Sequence, residues 1–423
     1  MVHSTCPYGL GIRLLSPEVP QMRTTFLIAL LFAAGPISYG QAVPSASTGT
    51  ASLQYSVRYS ETAEFGGTIG NWHTITPSAS LDYANGRKGF PFSLEYAGGY
   101  TSSLSGPSYS NGLFQRLLVS QGIEHAKWNL LMSDDVSYRP QAPTTGFSGI
   151  PGIGEPIGGG TNLPPGQLIL TLNTHALENI VRGEVRRLLN YRSVLSVEVS
   201  DDFLHYPESD GLDTNSLITD AGIDFRLNAR SALTTRYSLF RYGYSGYDFH
   251  VSTHAVTFGF DKSWNRRLHM NAAGGPQWVN SSNSAVVPNS IKVAAQAALE
   301  YQRRRTSMGV SYFRGTNGGS GYMIGSEFDD IAASFSRELR QRSAFEMSGG
   351  YRRTSALSTR WDASSVYGGV QTSWRIGRNL DAFLNYTAMS QSTGTQGPSN
   401  VLNEVLHTFS CGIGFTRQAK AHR

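Results

Sequence analysis

Cysteine is nearly absent from this chain, with only Cys6 and Cys411 among 423 residues. Neither stands at a metal-ligand spacing, and one thiol left after an export signal is removed allows no intramolecular disulfide. Charge is scarce as well, at 15% of residues, and the net +5 forms no basic block, which argues against nucleic-acid binding. Long apolar runs are missing with one exception, Phe26 to Ala34, which is too short to cross a bilayer as a helix. That run follows Met22-Arg23 and leads into the small residues of Ser38 to Gln41, the pattern of a secretory signal. Residues 1–40 are therefore expected to be an extension and signal with Met22 as the start, and 41–50 a short lead. The mean hydropathy of −0.25 fits poorly with a bundle of membrane helices.

What the chain does contain is period-two alternation from Leu53 to Phe415. Leu53, Tyr55, Val57 and Tyr59 alternate with Gln54, Ser56, Arg58 and Ser60, and Phe92, Leu94 and Tyr96 alternate with Ser93, Glu95 and Ala97. Such alternation predicts strands with one apolar and one polar face. Connections alternate between tight turns, such as Asn85 to Gly89 and Asn190 to Arg192, and longer polar segments. Together these predict an all-β fold: a transmembrane, antiparallel, up-and-down β-barrel of about 18 strands (16–18), over 51–416 with a tail at 417–423. An even count returns both termini to the periplasmic side. Weak points are Gly274-Gly275, Asp329-Asp330 and Gly368-Gly369, which interrupt three of the expected strands.

A secreted sandwich or propeller would also alternate. Against it, Trp72, Trp128, Trp264, Trp278, Trp361 and Trp374 all fall near expected strand ends or in connections, as interfacial girdles require. The last strand carries Val405, His407, Phe409, Cys411, Ile413 and Phe415 on one face. It resembles the terminal strand that the outer-membrane assembly machinery recognises, with Phe415 as its aromatic end, although Thr416 to Arg423 trail beyond it. Short turns carry Arg87, Lys88, Lys127, Arg192, Arg230, Arg266, Arg303, Arg304, Arg340, Arg342 and Arg378. The longer loops lean acidic, with Glu61, Glu64, Glu155, Glu208, Asp210, Asp213 and Asp248. Either the basic turns meet anionic headgroups of the inner leaflet, or turns are simply solvated.

One connection, 140–175, is far longer than the rest and contains Glu155-Pro156-Ile157-Gly158-Gly159. Here the chain resembles the general porins, whose third outer loop folds into the pore. The resemblance implies an outer-membrane location in a Gram-negative bacterium, contact with outer-membrane lipids and a homotrimer. It also implies a constriction at Ile150, Ile153, Glu155 and Ile157. A surface cap remains the alternative, and cation preference does not carry over, because the segment has one acid where such loops have several. The polar phase predicts lumen-lining charges at Arg58, Arg116, Arg182, Glu198, Asp202, Asp220, Asp224, Arg236, Arg352 and Arg375, with Arg186, Arg226, Lys292 and Arg305 beside them. Their signs either set ion selectivity or pair across strands and leave a polar wall.

Enzyme motifs are thin. Gly146-Phe147-Ser148-Gly149 and Gly243-Tyr244-Ser245-Gly246 fall short of a nucleophile elbow and lie in loops. No catalytic, cofactor or metal residues are expected, and His254 and His407 fall on the lipid phase. The expected function is passive diffusion of ions or small hydrophilic solutes. A structural or polysaccharide-export barrel is the alternative, since Ala273 to Val279 resembles outer-membrane barrels of undetermined role. An outer-membrane hydrolase would need Ser, His and an acid converging at one rim. A start near Gln41 would leave no room for an amino-terminal plug.

Overall fold

The computed structural model describes residues 51–65, 72–105, 111–140, 175–207, 212–319, 323–340, 342–358, 362–393 and 405–420. The expected signal, Trp361 and the segment with Ile150, Ile153, Glu155 and Ile157 lie outside them. The chain forms β1 (Ala51–Phe65), β2 (Trp72–Asn85), β3 (Phe92–Ser105), β4 (Gly112–His125), β5 (Trp128–Pro140) and β6 (His175–Asn190). Next come β7 (Ser193–His205), β8 (Thr214–Asn228), β9 (Ser231–Tyr244), β10 (His250–Ser263), β11 (Leu268–Ser281) and β12 (Ser290–Arg303). The remaining strands are β13 (Thr306–Asn317), β14 (Ser326–Arg340), β15 (Ser343–Ala356), β16 (Asp362–Arg375), β17 (Leu380–Thr393) and β18 (Val405–Lys420).

Every strand pairs antiparallel with its sequence neighbours, and β1 pairs with both β2 and β18, which closes the 18-stranded ring. Closure leaves no free sheet edge over most of the wall, the condition for placing strands in lipid. Tight turns at one end share an Asx device. Asn85, Asn190, Asn228 and Asn265 each accept a backbone N–H from the residue two positions on through the side-chain oxygen.

The exterior is apolar. Leu117, Val181, Ile223, Tyr237, Phe258, Val310, Ile331, Met347, Val366, Tyr386, Phe409 and Ile413 are large hydrophobic side chains left exposed around the ring. Exposure on that scale is intolerable in water and expected against lipid. Trp128, Trp264 and Trp374 stand at or just beyond strand ends, and Trp278 lies near the end of β11; all four are exposed. His254 and His407 share this outer face, where each ring Nδ1 meets a tyrosine hydroxyl, of Tyr237 at 2.7 Å and Tyr386 at 2.8 Å. A polar interruption of the belt lies at β5–β6, where Asn179 donates to Asp134 at 2.7 Å. An arginine at Ile413, which is 53% exposed, is expected to cost about 2–4 kcal/mol if that site lies near the bilayer midplane. A lowered urea midpoint of the Ile413→Arg barrel in lipid vesicles checks this.

Several boundaries differ from the sequence expectation. β11, β14 and β16 run unbroken through the positions that seemed to interrupt them. At Gly275 the backbones approach so closely that a Cβ would lie 1.8 Å from the Val256 carbonyl oxygen, so glycine permits the strand there. Glu61 and Glu64 belong to β1 rather than to a loop, and Glu61 meets His73 at 2.6 Å. Arg305 sits in the β12–β13 turn instead of the wall. The expected tail is partly strand: β18 continues to Lys420, whose register partner on β1 is Ser52.

Candidate functional site

The polar phase of the strands forms the inner face. On β6–β9, three carboxylates stand side by side: Glu184 faces Glu198, and Glu198 faces Asp220. Like charges directly opposite one another destabilise a sheet unless something offsets them. Three arginines one register step away supply the offset. Arg182 Nε lies 3.5 Å from Glu198, Arg186 pairs with Glu184, and Arg236 Nη2 reaches Asp224 at 3.4 Å. Asp220 accepts from the Ser238 hydroxyl, and Asp202 lies farther along β7 opposite Ser216.

Beyond this patch the signs also interleave. Arg116 grips Asp135 through Nε at 3.0 Å and Nη2 at 2.7 Å, a fork-to-carboxylate pair. Arg352 pairs with Asp330, directly opposite on β14. Arg375 ends β16 and faces Asp381 in register. Arg226 lies near the end of β8, and of Arg58 only the backbone is described, opposite Ser78 and Gly414. The patch that reads as acidic from one strand pair alone is thus interlaced with arginine from β6 and β9. By contrast, the buried inner-phase residues of β16–β18 include uncharged Ser365, Gln371, Asn385, Thr387, Thr408 and Ser410.

A second feature narrows the interior. The β12–β13 ladder ends at Ala295↔Arg314, whereas β13–β14 stay paired to Asn317↔Ser326. The tip of the β13–β14 hairpin therefore leaves the wall as a unit. It comes to rest on the inner face of β9–β11. Gln277 Nε2 donates to Thr316 Oγ1 at 2.8 Å, Thr316 bonds Thr253 at 3.3 Å, and Tyr242 OH donates to the Thr316 carbonyl at 3.2 Å.

Backbone bonds and close packing hold the described residues on either side of the turn. Met323 N donates to Gly319 O, and Leu357 N donates to Gly325 O. Gly319 has φ of +87°, and a Cβ there would lie 2.1 Å from the Met323 carbonyl oxygen, so the turn requires glycine. Ile324 packs with Leu212, Phe249 and Leu357 around a cluster of Tyr242, Tyr244, Val251, Val279 and Val287. Phe328 is 2% exposed and stacks on Phe313 at 5.4 Å. An apolar core thus occupies one side of the mouth at the long-loop end, and the charged β6–β9 wall descends from beside it.

Sequence reading located neither this hairpin nor the ionic group at its base. There, Arg314 bonds Glu327 at 2.8 Å and Asp329 at 3.2 Å, and Lys292 bonds Glu327 at 2.8 Å. The one available signal was the density of glycine from Gly315 to Gly325 around Met323 and Ile324.

A Ser, His and acid do meet near the short-turn rim. Ser263 Oγ lies 3.1 Å from His269 Nδ1, and Asp261 lies 3.2 Å from His269 Nε2. The neighbouring backbone donors are spent, Ser263 N on Arg230 O and Trp264 N on Leu268 O. Neither of these two backbone N–H groups is free to stabilise an oxyanion formed beside Ser263.

No family model matches the chain, and no curated protein does. Among solved structures it is similar to Pseudomonas aeruginosa OccK2 (OpdF), at 12% identity and a TM-score of 0.48, over 88% of this chain and 98% of that one. It is also similar to Pseudomonas aeruginosa OpdK crystallised with vanillate, at 9% identity and a TM-score of 0.45, over 87% and 99%. For Acinetobacter baumannii OccAB3 the values are 10% and 0.44, over 87% and 99%. The closed ring of strand pairs, rather than these likenesses, establishes the architecture of this chain as an up-and-down β-barrel with a lipid-facing exterior.

Proposed function

We propose that this barrel is an outer-membrane channel of a Gram-negative bacterium for passive diffusion of ions or small hydrophilic solutes. The observation that carries the reading is a closed ring of 18 strands whose outer face is apolar and whose inner face is lined by paired charges and amides. Rings of this size enclose an aqueous interior unless loops fill it. The residues assigned to the conduction path are Arg58, Arg116, Arg182, Glu198, Asp202, Asp220, Asp224, Arg236, Arg352 and Arg375. The tight, arginine-rich turns then face the periplasm, and Phe415 on β18 serves recognition by the assembly machinery. The segment with Ile150, Ile153, Glu155 and Ile157 contributes a second constriction, and the channel assembles as a homotrimer. No enzymatic step is assigned to it.

The purified protein in planar bilayers is expected to give discrete conductance steps in KCl. A folded barrel that inserts but stays silent defeats the channel reading. That result would favour a structural or polymer-export barrel, a reading helped by the apolar cluster across part of the mouth.

A further inference from the structure

Where the hairpin tip turns inward, the wall loses a partner. Residues Ser290 to Ala294 of β12 pair with Val279 to Gly275 of β11 on one side, but their ladder to β13 has already ended at Ala295↔Arg314. The seam runs for about 16 Å of strand at the usual rise per residue. Its height is marked by Trp278, which faces Ile291 in register on the lipid side, the level of an interfacial aromatic girdle.

The two margins of the seam differ in kind. On the β12 margin Ile291 and Val293 point outward and are 71% and 56% exposed, among the most exposed apolar side chains of the barrel. On the other margin stand Arg314, Glu327 and Asp329, joined to Lys292 across the gap. One side-chain ion pair, Lys292 to Glu327, crosses the seam where the backbone ladder between β12 and β13 has ended. This pair and that of Arg314 with Glu327 are partly exposed, with Lys292 at 31% and Arg314 at 36%. Their shared acid, Glu327, is 13% exposed, and a side-chain pair closes a seam less completely than a backbone ladder. Two cations and two anions cancel, so the margin offers no net sign to attract an ion. An apolar edge beside a neutralised polar one, at the boundary between lumen mouth and outer leaflet, suits an uncharged molecule that is mostly apolar.

We propose that the β12–β13 seam is a lateral window through which uncharged, largely apolar small molecules pass between the barrel mouth and the outer leaflet. This route goes beyond the axial channel and is separable from it. The test uses N-phenyl-1-naphthylamine, whose fluorescence rises on reaching a membrane interior, added to cells with an intact outer membrane.

Cells carrying the protein should take up the probe several-fold faster than cells without it. Ile291→Trp with Val293→Trp, which places two bulky side chains over the window from outside, should return uptake to the protein-free rate. The same double variant, purified, should keep the ion conductance of the native protein. Equal uptake with and without the protein overturns the proposal, as does uptake that the double variant leaves unchanged. A parallel fall of uptake and conductance also overturns it, because both would then use the lumen. If the double variant fails to form a heat-modifiable barrel, Ile291→Trp alone serves, at the more exposed position. Absent conductance in the native protein would instead count against the axial channel, leaving the uptake comparison intact.

Discussion

Replacing Gly318 to Gly325 by an Asn-Gly turn is expected to raise single-channel conductance by about twofold or more, because interior cross-section, not ring size, limits a barrel that carries infolded segments. The removed residues include Met323, 2% exposed, and Ile324, which packs on the Tyr242–Val287 cluster. The variant should keep its ring, because β13 and β14 hold each other through Thr306↔Arg337 to Asn317↔Ser326. Two-residue Asn-Gly turns suit such a pair. Conductance equal to that of the native protein would mean that the path avoids the hairpin. Deleting Ile150 to Gly160 in parallel asks the same of the longer connection, and the two increments show which segment is the tighter constriction.

The second large effect concerns ion preference. Substituting Arg182, Arg186 and Arg236 together by glutamine leaves Glu184, Glu198, Asp220 and Asp224 without the cations that interlace them. A wall stripped of one sign focuses the field of the other. The ratio of cation to anion permeability, read from the reversal potential in a KCl gradient, is expected to rise several-fold, most clearly at low ionic strength where screening is weak. The same substitutions should lower stability. Breaking a buried pair costs about 3–5 kcal/mol in a dry interior, and less here because Arg182 is 44% exposed. An unchanged reversal potential would place these residues outside the conduction path.

Much of the architecture is readable from the chain. Alternation at Val57, Tyr59, Tyr96, Phe409, Ile413 and Phe415 assigns the lipid face correctly, because the pleat forces neighbouring side chains to opposite sides. His254 and His407 follow the same rule. Where local composition misled, the cause is specific. Gly274-Gly275 looks like a strand break, yet β10 and β11 close so tightly at Gly275 that a side chain has no room there. Thr416 to Lys420 look like a tail because alternation fades, yet β1 supplies a partner from the far end of the chain.

The hairpin shows where a periodicity argument stops. Arg314 and Thr316 share the phase of Met308 and Val310, so alternation places all four on the lipid side. That inference holds only while β13 remains in the wall. Once the ladder to β12 ends, the same face turns toward the inner surface of β10 and β11, and Thr316 meets Thr253 and Gln277.

Which side a residue takes while its strand stays in the wall, a strand number of 16–18 and the placement of most tight turns follow from pattern alone, since they depend on the two-residue repeat and on turn chemistry. Where the interior narrows, and which charges neutralise one another, depends on contacts between residues such as Tyr242 and Thr316, 74 positions apart. Only closure of the ring brings such residues together, and no local repeat encodes that distance.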